Sequence, residues 1–223
     1  PSAKAFPKEM IHPNLGPQYR NSIIGIVYHA GIIKPAEAPK SLEDLLKPQY
    51  RGKLVMPDAS QHTTTAQWLA SLHKIMGKER ADKFIRDLAA TKPLLVESLT
   101  PAGERITTGE TPIGIAFLKN VVFYGQKGIP LDYVRLGKFM GDGNAIGLGS
   151  KAPHPNAGKA FIDFFLGEEG LKIMASIGEF VTRKGIYPPI PDADKIELVE
   201  MVDMDKKAYA EKMAEYRKIF LQQ

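Results

Sequence analysis

Short β-branched runs alternate with amphipathic segments over residues 23–136, and this alternation limits the possible folds more than any other feature. Residues 23–28, IIGIVY, form a nearly continuous apolar run of the kind found in strands covered on both faces. Four further strand-like runs are residues 54–57, 93–96, 113–117 and 131–136. Apolar residues recur at helical spacing between positions 63 and 90. The alternation therefore predicts an α/β fold with a mainly parallel sheet.

Glycines, prolines and polar caps indicate where helices begin and end. Gly77 divides the helical pattern of residues 63–90 into two helices. Thr100, followed by Pro101, predicts a helix start, and Gly109 predicts its end.

Residues 151–185 predict a pair of helices. His154 and Pro155 form a polar cap and a proline start, while Gly178 suits a left-handed closing position. Residues expected on the buried stripes are Ala157, Ala160, Phe161, Phe164, Phe165, Leu171, Met174 and Ile177. A closing amphipathic helix is expected over residues 206–220.

Composition excludes several kinds of protein. With 223 residues and 43% hydrophobic content, the chain can bury a sizeable core and should be a soluble globular protein. It has no cysteine, so disulfides, thiol nucleophiles and cysteine-ligated zinc are excluded. The net charge of +5 is scattered among acids, which favours anionic small molecules over nucleic acid. No apolar run is long enough to cross a bilayer, and residues 1–10 lack the apolar core of a signal peptide.

Polar side chains follow two of the expected strands, where a helix is about to begin. The first group is Ser60, Gln61, His62, Thr63 and Thr64. Ser98 and Thr100 repeat the arrangement after the next strand. The carboxyl ends of parallel strands meet at one edge of a sheet, and helix N-termini favour anions, so both turns are candidate ligand contacts. Helix capping by Ser60 or Thr63 explains the same residues equally well.

Signals of catalysis are weak. His62 has the chemistry of a general base or metal ligand, but no second histidine stands at ligand spacing, which favours a polar cleft residue. The glycines of residues 141–151 match neither a dinucleotide fingerprint nor a P-loop. No nucleophile, base and orienting residue form a recognisable set.

Four passages carry a resemblance to a known family. Residues 41–58, SLEDLLKPQYRGKLVMPD, and residues 151–165, KAPHPNAGKAFIDFF, are the most specific. Residues 109–115 and 169–185 follow the same family pattern in the right order. The chain resembles the periplasmic solute-binding proteins of ABC importers (extracellular solute-binding family 1), in the branch that contains the ferric-iron binders.

The resemblance implies a two-lobed α/β periplasmic-binding-protein fold of type II that clamps a solute between its lobes. Residues 1–29 would belong to lobe one and the first hinge strand, residues 30–136 to lobe two, and residues 137–223 to the return into lobe one. The family's long N-terminal section has no counterpart in this sequence, so lobe one is expected to be incomplete. Truncation, processing or a separate chain that completes the fold would each explain this. The implied protein is periplasmic or tethered outside the cell, non-enzymatic, without a cofactor, monomeric when complete, and partnered by a membrane permease.

The expected ligand is a small anion. Ferric binders of this branch carry a tyrosine pair just after the strand matching residues 113–117, whereas this chain has Lys119 and Asn120 there. A cation and an amide suit a carboxylate or phosphate better than ferric iron. Arg20 and Asn144 are further expected contacts, although Arg20 is equally well a solvated surface charge. A phosphonate, a sugar phosphate or an organic acid would suit such a site. The alternative ligand is ferric iron held by non-standard side chains, and the alternative functions are a sensor or an enzyme built on the same fold.

Overall fold

A computed structural model describes residues 1–13 and 15–221, apart from the side chain of Glu9. The α-helices are α1 (Thr63–Ser71), α2 (His73–Met76), α3 (Lys78–Ala90), α4 (Leu99–Thr108), α5 (Asn120–Gly125), α6 (Pro155–Phe165), α7 (Glu168–Ser176) and α8 (Lys206–Leu221). The strands are β1 (Ile11–His12), β2 (Gly16–His29), β3 (Leu54–Pro57), β4 (Leu94–Val96), β5 (Ile113–Phe117), β6 (Leu131–Tyr133), β7 (Lys138–Ala145), β8 (Phe180–Val181) and β9 (Glu197–Leu198). The α/β class predicted from the sequence is therefore confirmed.

Strand β2 organises the sheet, whose main path runs β4-β3-β5-β2-β7-β9. Its C-terminal half, which carries the buried IIGIVY run, pairs with β5 and β6. Its half-buried N-terminal half pairs with β7 and β8. Ile24 lies at the junction, opposite Phe117 on one side and Met140 on the other. A single strand thus joins two parts of the molecule and positions the polar residues between them.

The sheet is mixed, so the expectation of a mainly parallel sheet was wrong. Strands β4, β3 and β5 are parallel to one another, as the strand and helix alternation predicts. Strand β2, however, is antiparallel to β5, β6 and β7. The alternation fixes the direction only of strands joined by helical crossovers, and the connection from β2 to β3 contains no α-helix.

The main core lies between the sheet and helices α1, α3 and α8. Trp68 of α1, Phe84 of α3 and Tyr216 of α8 are all almost fully buried in it. Helix α8 therefore packs on elements of the predicted second lobe. The proposed division into residues 1–29, 30–136 and 137–223 stays a prediction, and this packing favours ending the return segment before α8.

Several local expectations differ from the structure. Ser98, not Thr100, occupies the N-cap of α4, because the helix begins two residues earlier than the proline signal suggests. Phe161 and Phe164 of α6 are exposed, since no described element packs on that face of the helix. On α7, Leu171 is buried as expected, whereas Ile177 is exposed beyond the helix end.

Candidate functional site

The turns after β3 and β4 lie side by side. The two strands are parallel neighbours, with Pro57 paired to Val96 at their carboxyl ends. The backbone N–H of Asp58 donates to the carbonyl of Val96 over 2.7 Å. Strand β5 lies on the other side of β3 and is parallel to it, so the turn that follows β5 and carries Lys119 lies at the same edge of the sheet. This edge is where ligands are expected in an open α/β sheet.

Buried Asp58 shapes the turn after β3. Its carboxylate accepts hydrogen bonds from the Ser60 backbone N–H over 2.8 Å and from Gln61 Nε2 over 2.7 Å. The side chain of Gln61 is therefore engaged by the turn itself, and Ser60 takes part through its backbone. Both residues were predicted as candidate ligand contacts, with helix capping as the alternative for Ser60; in this structure both stabilise the loop that leads into α1.

His62 caps helix α1. Its Nδ1 accepts from the backbone N–H of Thr65 over 3.2 Å and lies 2.8 Å from the Thr65 hydroxyl. Burial lowers the pKa of His62 below its usual range, with nearby Asp142 opposing the shift. The imidazole is therefore neutral at pH 7, and its ring lies beside the positive end of the helix dipole.

Strands β2 and β7 form a ribbon with a polar face. Arg20 lies opposite Asn144, and Ser22 opposite Asp142, so alternation places all four side chains on one face. Arg20 donates to Asn144 Oδ1 over 3.1 Å. The Asn144 amide in turn donates to Ser22 Oγ over 3.3 Å and to the Asp142 carbonyl over 3.0 Å. The next pair along the ribbon, Ile24 and Met140, is part of the apolar core.

The N-terminus of α1 meets this ribbon at Asp142. The Thr64 hydroxyl donates to the Asp142 carboxylate, and His62 lies within electrostatic range. Burial raises the pKa of Asp142, an effect that the Thr64 hydrogen bond and then His62 only partly oppose. Thr64 and His62, both from the predicted turn after β3, thereby interact with Asp142 of the ribbon.

Glu179 joins two cations that are far apart in sequence. Its carboxylate forms ion pairs with Arg20 Nη1 and with Lys119 Nζ, the latter at 2.9 Å. The Glu179 side chain is 6% exposed, while those of Arg20 and Lys119 are 20% and 32% exposed. The carboxylate therefore lies behind the cations, which keep a side open to solvent.

A close backbone approach brings Glu179 to this position. Gly178, with φ of +101°, packs against the Lys119 carbonyl, where an added Cβ would lie 2.7 Å from the oxygen. Gln126 Nε2 donates to the Ser176 carbonyl over 2.8 Å and ties the end of α5 to the end of α7. Glycine is required here both for its dihedral angle and for its lack of a side chain.

The structure brings together only part of the expected site. Arg20, His62, Thr64, Lys119 and Asn144 belong to one connected polar surface, which we call the hinge site. Within the described part of the chain, no hydrogen bond links Thr63, Ser98 or Thr100 to it. Asn120 is buried: its Nδ2 packs against Gly103 of α4 and has no hydrogen-bond partner among the described residues. It therefore points away from the open face of Lys119.

Three members of the hinge site, Ser22, Asp142 and Glu179, were not predicted. Glu179 is a lone acid between Gly178 and the apolar pair Phe180 and Val181, which is the signal that could have identified it. Asp142 lies between two glycines and was considered only as part of a nucleotide loop. Among described residues, no group of three or more histidine, aspartate or glutamate side chains could hold a metal ion.

Comparisons with known proteins agree with one another. The model of a family described as bacterial extracellular solute-binding protein matches residues 6–178. The periplasmic binding protein AfuA from Actinobacillus pleuropneumoniae, with exogenous fructose-6-phosphate bound, has a TM-score of 0.69 at 18% identity; the match covers 100% of this chain and 73% of that one. Iron-bound HitA from Pseudomonas aeruginosa has a TM-score of 0.66 at 18% identity, and the match covers 99% of this chain and 74% of that chain.

The substrate binding protein of an ABC transporter from Agrobacterium tumefaciens gives a TM-score of 0.78 at 13% identity, covering 99% of this chain and 71% of that chain. These TM-scores, over nearly the whole of this chain, establish a shared fold, and the expected periplasmic-binding-protein architecture is thereby confirmed. Each match spans about three quarters of the solved chain. A search of curated protein sequences found no match.

Proposed function

Because this chain belongs to the bacterial extracellular solute-binding proteins, we propose that its hinge site captures a small solute through an anionic group. Binding of a solute and its delivery to an ABC importer are the role of this class of protein. The finer proposal concerns which chemical group is recognised and which residues recognise it.

The arrangement of Arg20, Lys119 and Glu179 carries the proposal. Two cations share one carboxylate, so the cluster keeps one positive charge. The buried carboxylate lies behind them and fixes their positions without covering their solvent side. Arg20 Nε is buried and lacks a hydrogen-bond partner among the described residues. A carboxylate, phosphate or phosphonate approaching from the open face would accept hydrogen bonds from the exposed parts of both cations and supply the missing negative charge.

Further features follow from the family and from the relatives. We propose a periplasmic location, delivery to a membrane permease, a monomeric state and no catalytic turnover. None of the described helices has the length and apolar content needed to span a bilayer. The sugar phosphate bound to AfuA and the iron bound to HitA mark the two ligand classes that an experiment must separate.

A thermal-shift experiment separates them. Propylphosphonate, inorganic phosphate, fructose-6-phosphate and ferric citrate are each added to the protein, with citrate alone as the control for the iron complex. A ligand at 100 times its Kd stabilises the folded state by about 2.7 kcal/mol. At this chain length each kcal/mol raises Tm by roughly 2–4 °C, so a shift of about 5–11 °C is expected for a recognised anion.

Stabilisation by ferric citrate alone, with no shift from citrate or the phosphorus compounds, would contradict anion recognition. Mass spectrometry of the recovered ligand tests the absence of turnover, because an unchanged mass is expected after prolonged incubation. The enzyme alternative requires a new product that depends on the protein.

A further inference from the structure

Among the described residues, none places a cation beside the Asp142 carboxylate. Thr64 donates a hydroxyl hydrogen bond, and Asn144 binds only the Asp142 backbone carbonyl. Across the described residues, no lysine or arginine forms an ion pair with Asp142. The other titratable groups facing it are His62, which is neutral at pH 7, and the phenol of Tyr209, whose pKa is raised first by burial and then by Asp142. The charge of this carboxylate is therefore not compensated by any cation in the described part of the chain.

Asp142 lies on the same face as the anion-binding cations. It is two residues from Asn144, the hydrogen-bond partner of Arg20, and alternation directs both side chains the same way. Two residues of strand span about 7 Å, so the positive and negative ends of the hinge site are a short molecule's length apart.

The hinge site is consequently a dipole. Arg20, Lys119 and Glu179 together leave one positive charge at one end, while Asp142 leaves one negative charge at the other. Keeping a partly desolvated carboxylate without a cation costs stability, and burial already raises its pKa. Such unfavourable groups are concentrated where a ligand supplies the missing partner.

We propose that the captured solute is amphoteric, with an anionic group on Arg20 and Lys119 and a protonated amine on the Asp142 carboxylate. The chemical class is a short-chain amino acid or aminoalkylphosphonate. This inference rests on the proposed function, because it assigns a second group to the same solute. The Thr64 hydroxyl positions the Asp142 carboxylate, and the Asn144 amide fixes the backbone beside it through the Asp142 carbonyl.

Isothermal titration calorimetry at pH 7 with three matched probes tests the proposal. Propylphosphonate provides the anionic end alone, 3-aminopropylphosphonate adds the amine, and 3-hydroxypropylphosphonate adds a neutral donor. A charge-assisted hydrogen bond in a partly desolvated site predicts that the aminated probe binds at least about tenfold more tightly than either of the others. Asp142→Asn should abolish this preference, while propylphosphonate should bind at least as tightly as it does to the wild type, because a negative charge near the anion has been removed. Far-UV circular dichroism and thermal unfolding show whether the variant is folded.

Asp203→Asn is the matched control, because Asp203 is also near Tyr209 but is exposed and lies outside the ribbon. It should retain the wild-type preference. Equal affinities for the aminated and unsubstituted probes would overturn the amphoteric solute while leaving anion capture intact. Equal weakening of both by Asp142→Asn would also overturn it. Failure of all three probes to bind would contradict the proposed function as well.

Discussion

Removing the charge of Glu179 is the most informative perturbation of the hinge site. The Glu179→Gln variant keeps the side-chain shape but leaves Arg20 and Lys119 without their shared counter-charge. Breaking a buried ion pair by removing one partner costs about 3–5 kcal/mol. Because the two cations are 20% and 32% exposed, water offsets part of this cost, and we expect a loss of about 2–3 kcal/mol.

Thermal and urea unfolding measure this loss. At roughly 2–4 °C for each kcal/mol, Tm should fall by about 4–12 °C. Glu168→Gln is the matched control, since Glu168 also pairs with two cations, Lys172 at 2.6 Å and Arg183 at 3.4 Å, but on an exposed surface. Solvent-exposed ion pairs contribute little, so this control should shift Tm much less.

Anion addition separates a structural loss from a change in the site. With Glu179 neutral, Arg20 and Lys119 carry two uncompensated charges, so propylphosphonate should raise Tm more in Glu179→Gln than in the wild type. The reasoning is refuted if Glu179→Gln and Glu168→Gln lose equal stability. It is also refuted if propylphosphonate stabilises the Glu179 variant no more than the wild type.

Three further predictions concern the scaffold around the site. Trp68→Ala removes a nearly fully buried side chain from the main core and should cost about 3–5 kcal/mol in urea unfolding; a loss below 1 kcal/mol would contradict the packing. Gly178→Ala adds a Cβ 2.7 Å from the Lys119 carbonyl oxygen at a residue with positive φ, so we expect about 1–3 kcal/mol of destabilisation and weaker anion binding. Unchanged anion binding would contradict the close approach of Gly178 to Lys119. Burial lowers the pKa of His62 in the folded protein, so the unfolded chain binds a proton at this residue more readily. The contribution of the neutral imidazole to stability is therefore complete above about pH 6.5, the usual histidine pKa, and is lost as the pH falls below that value. His62→Gln should flatten the pH dependence of the free energy of unfolding below about pH 6.5, and an unchanged slope would exclude His62 as its source.

Local signals predicted the elements of the α/β scaffold well. The strands around residues 54–57 and 113–117 and the break at Gly77 are present, because apolar periodicity and glycine dihedral preferences act over a few residues. The N-terminal half of β2 was missed. Residues 18–22, QYRNS, are polar and only partly buried, and they form a strand because β7 and β8 pair with them. Pairing partners more than 100 residues away leave no local pattern.

The candidate site was predictable only in its general position. The polar turns after β3 and β4 were identified because the carboxyl ends of parallel strands meet at one edge. The specific contacts were not, because Glu179 reaches Arg20 and Lys119 from a distant part of the chain. Asn120 was expected beside the solute for its chemical type, but the first turn of α5 directs it against Gly103. Residue type indicates what a side chain can bind, whereas tertiary structure decides whether it faces the solute.

Calorimetric titration of propylphosphonate into the wild type, Arg20→Gln and Lys119→Gln tests anion capture most directly. Thr100→Ala serves as the control, because Thr100 is exposed at the neighbouring turn and does not belong to the hinge site. We predict saturable binding to the wild type and to Thr100→Ala, and at least about tenfold weaker binding to each cation variant, since each loses one charge-assisted hydrogen bond. Equal affinity in all four proteins, with both cation variants folded, would contradict anion capture by Arg20 and Lys119.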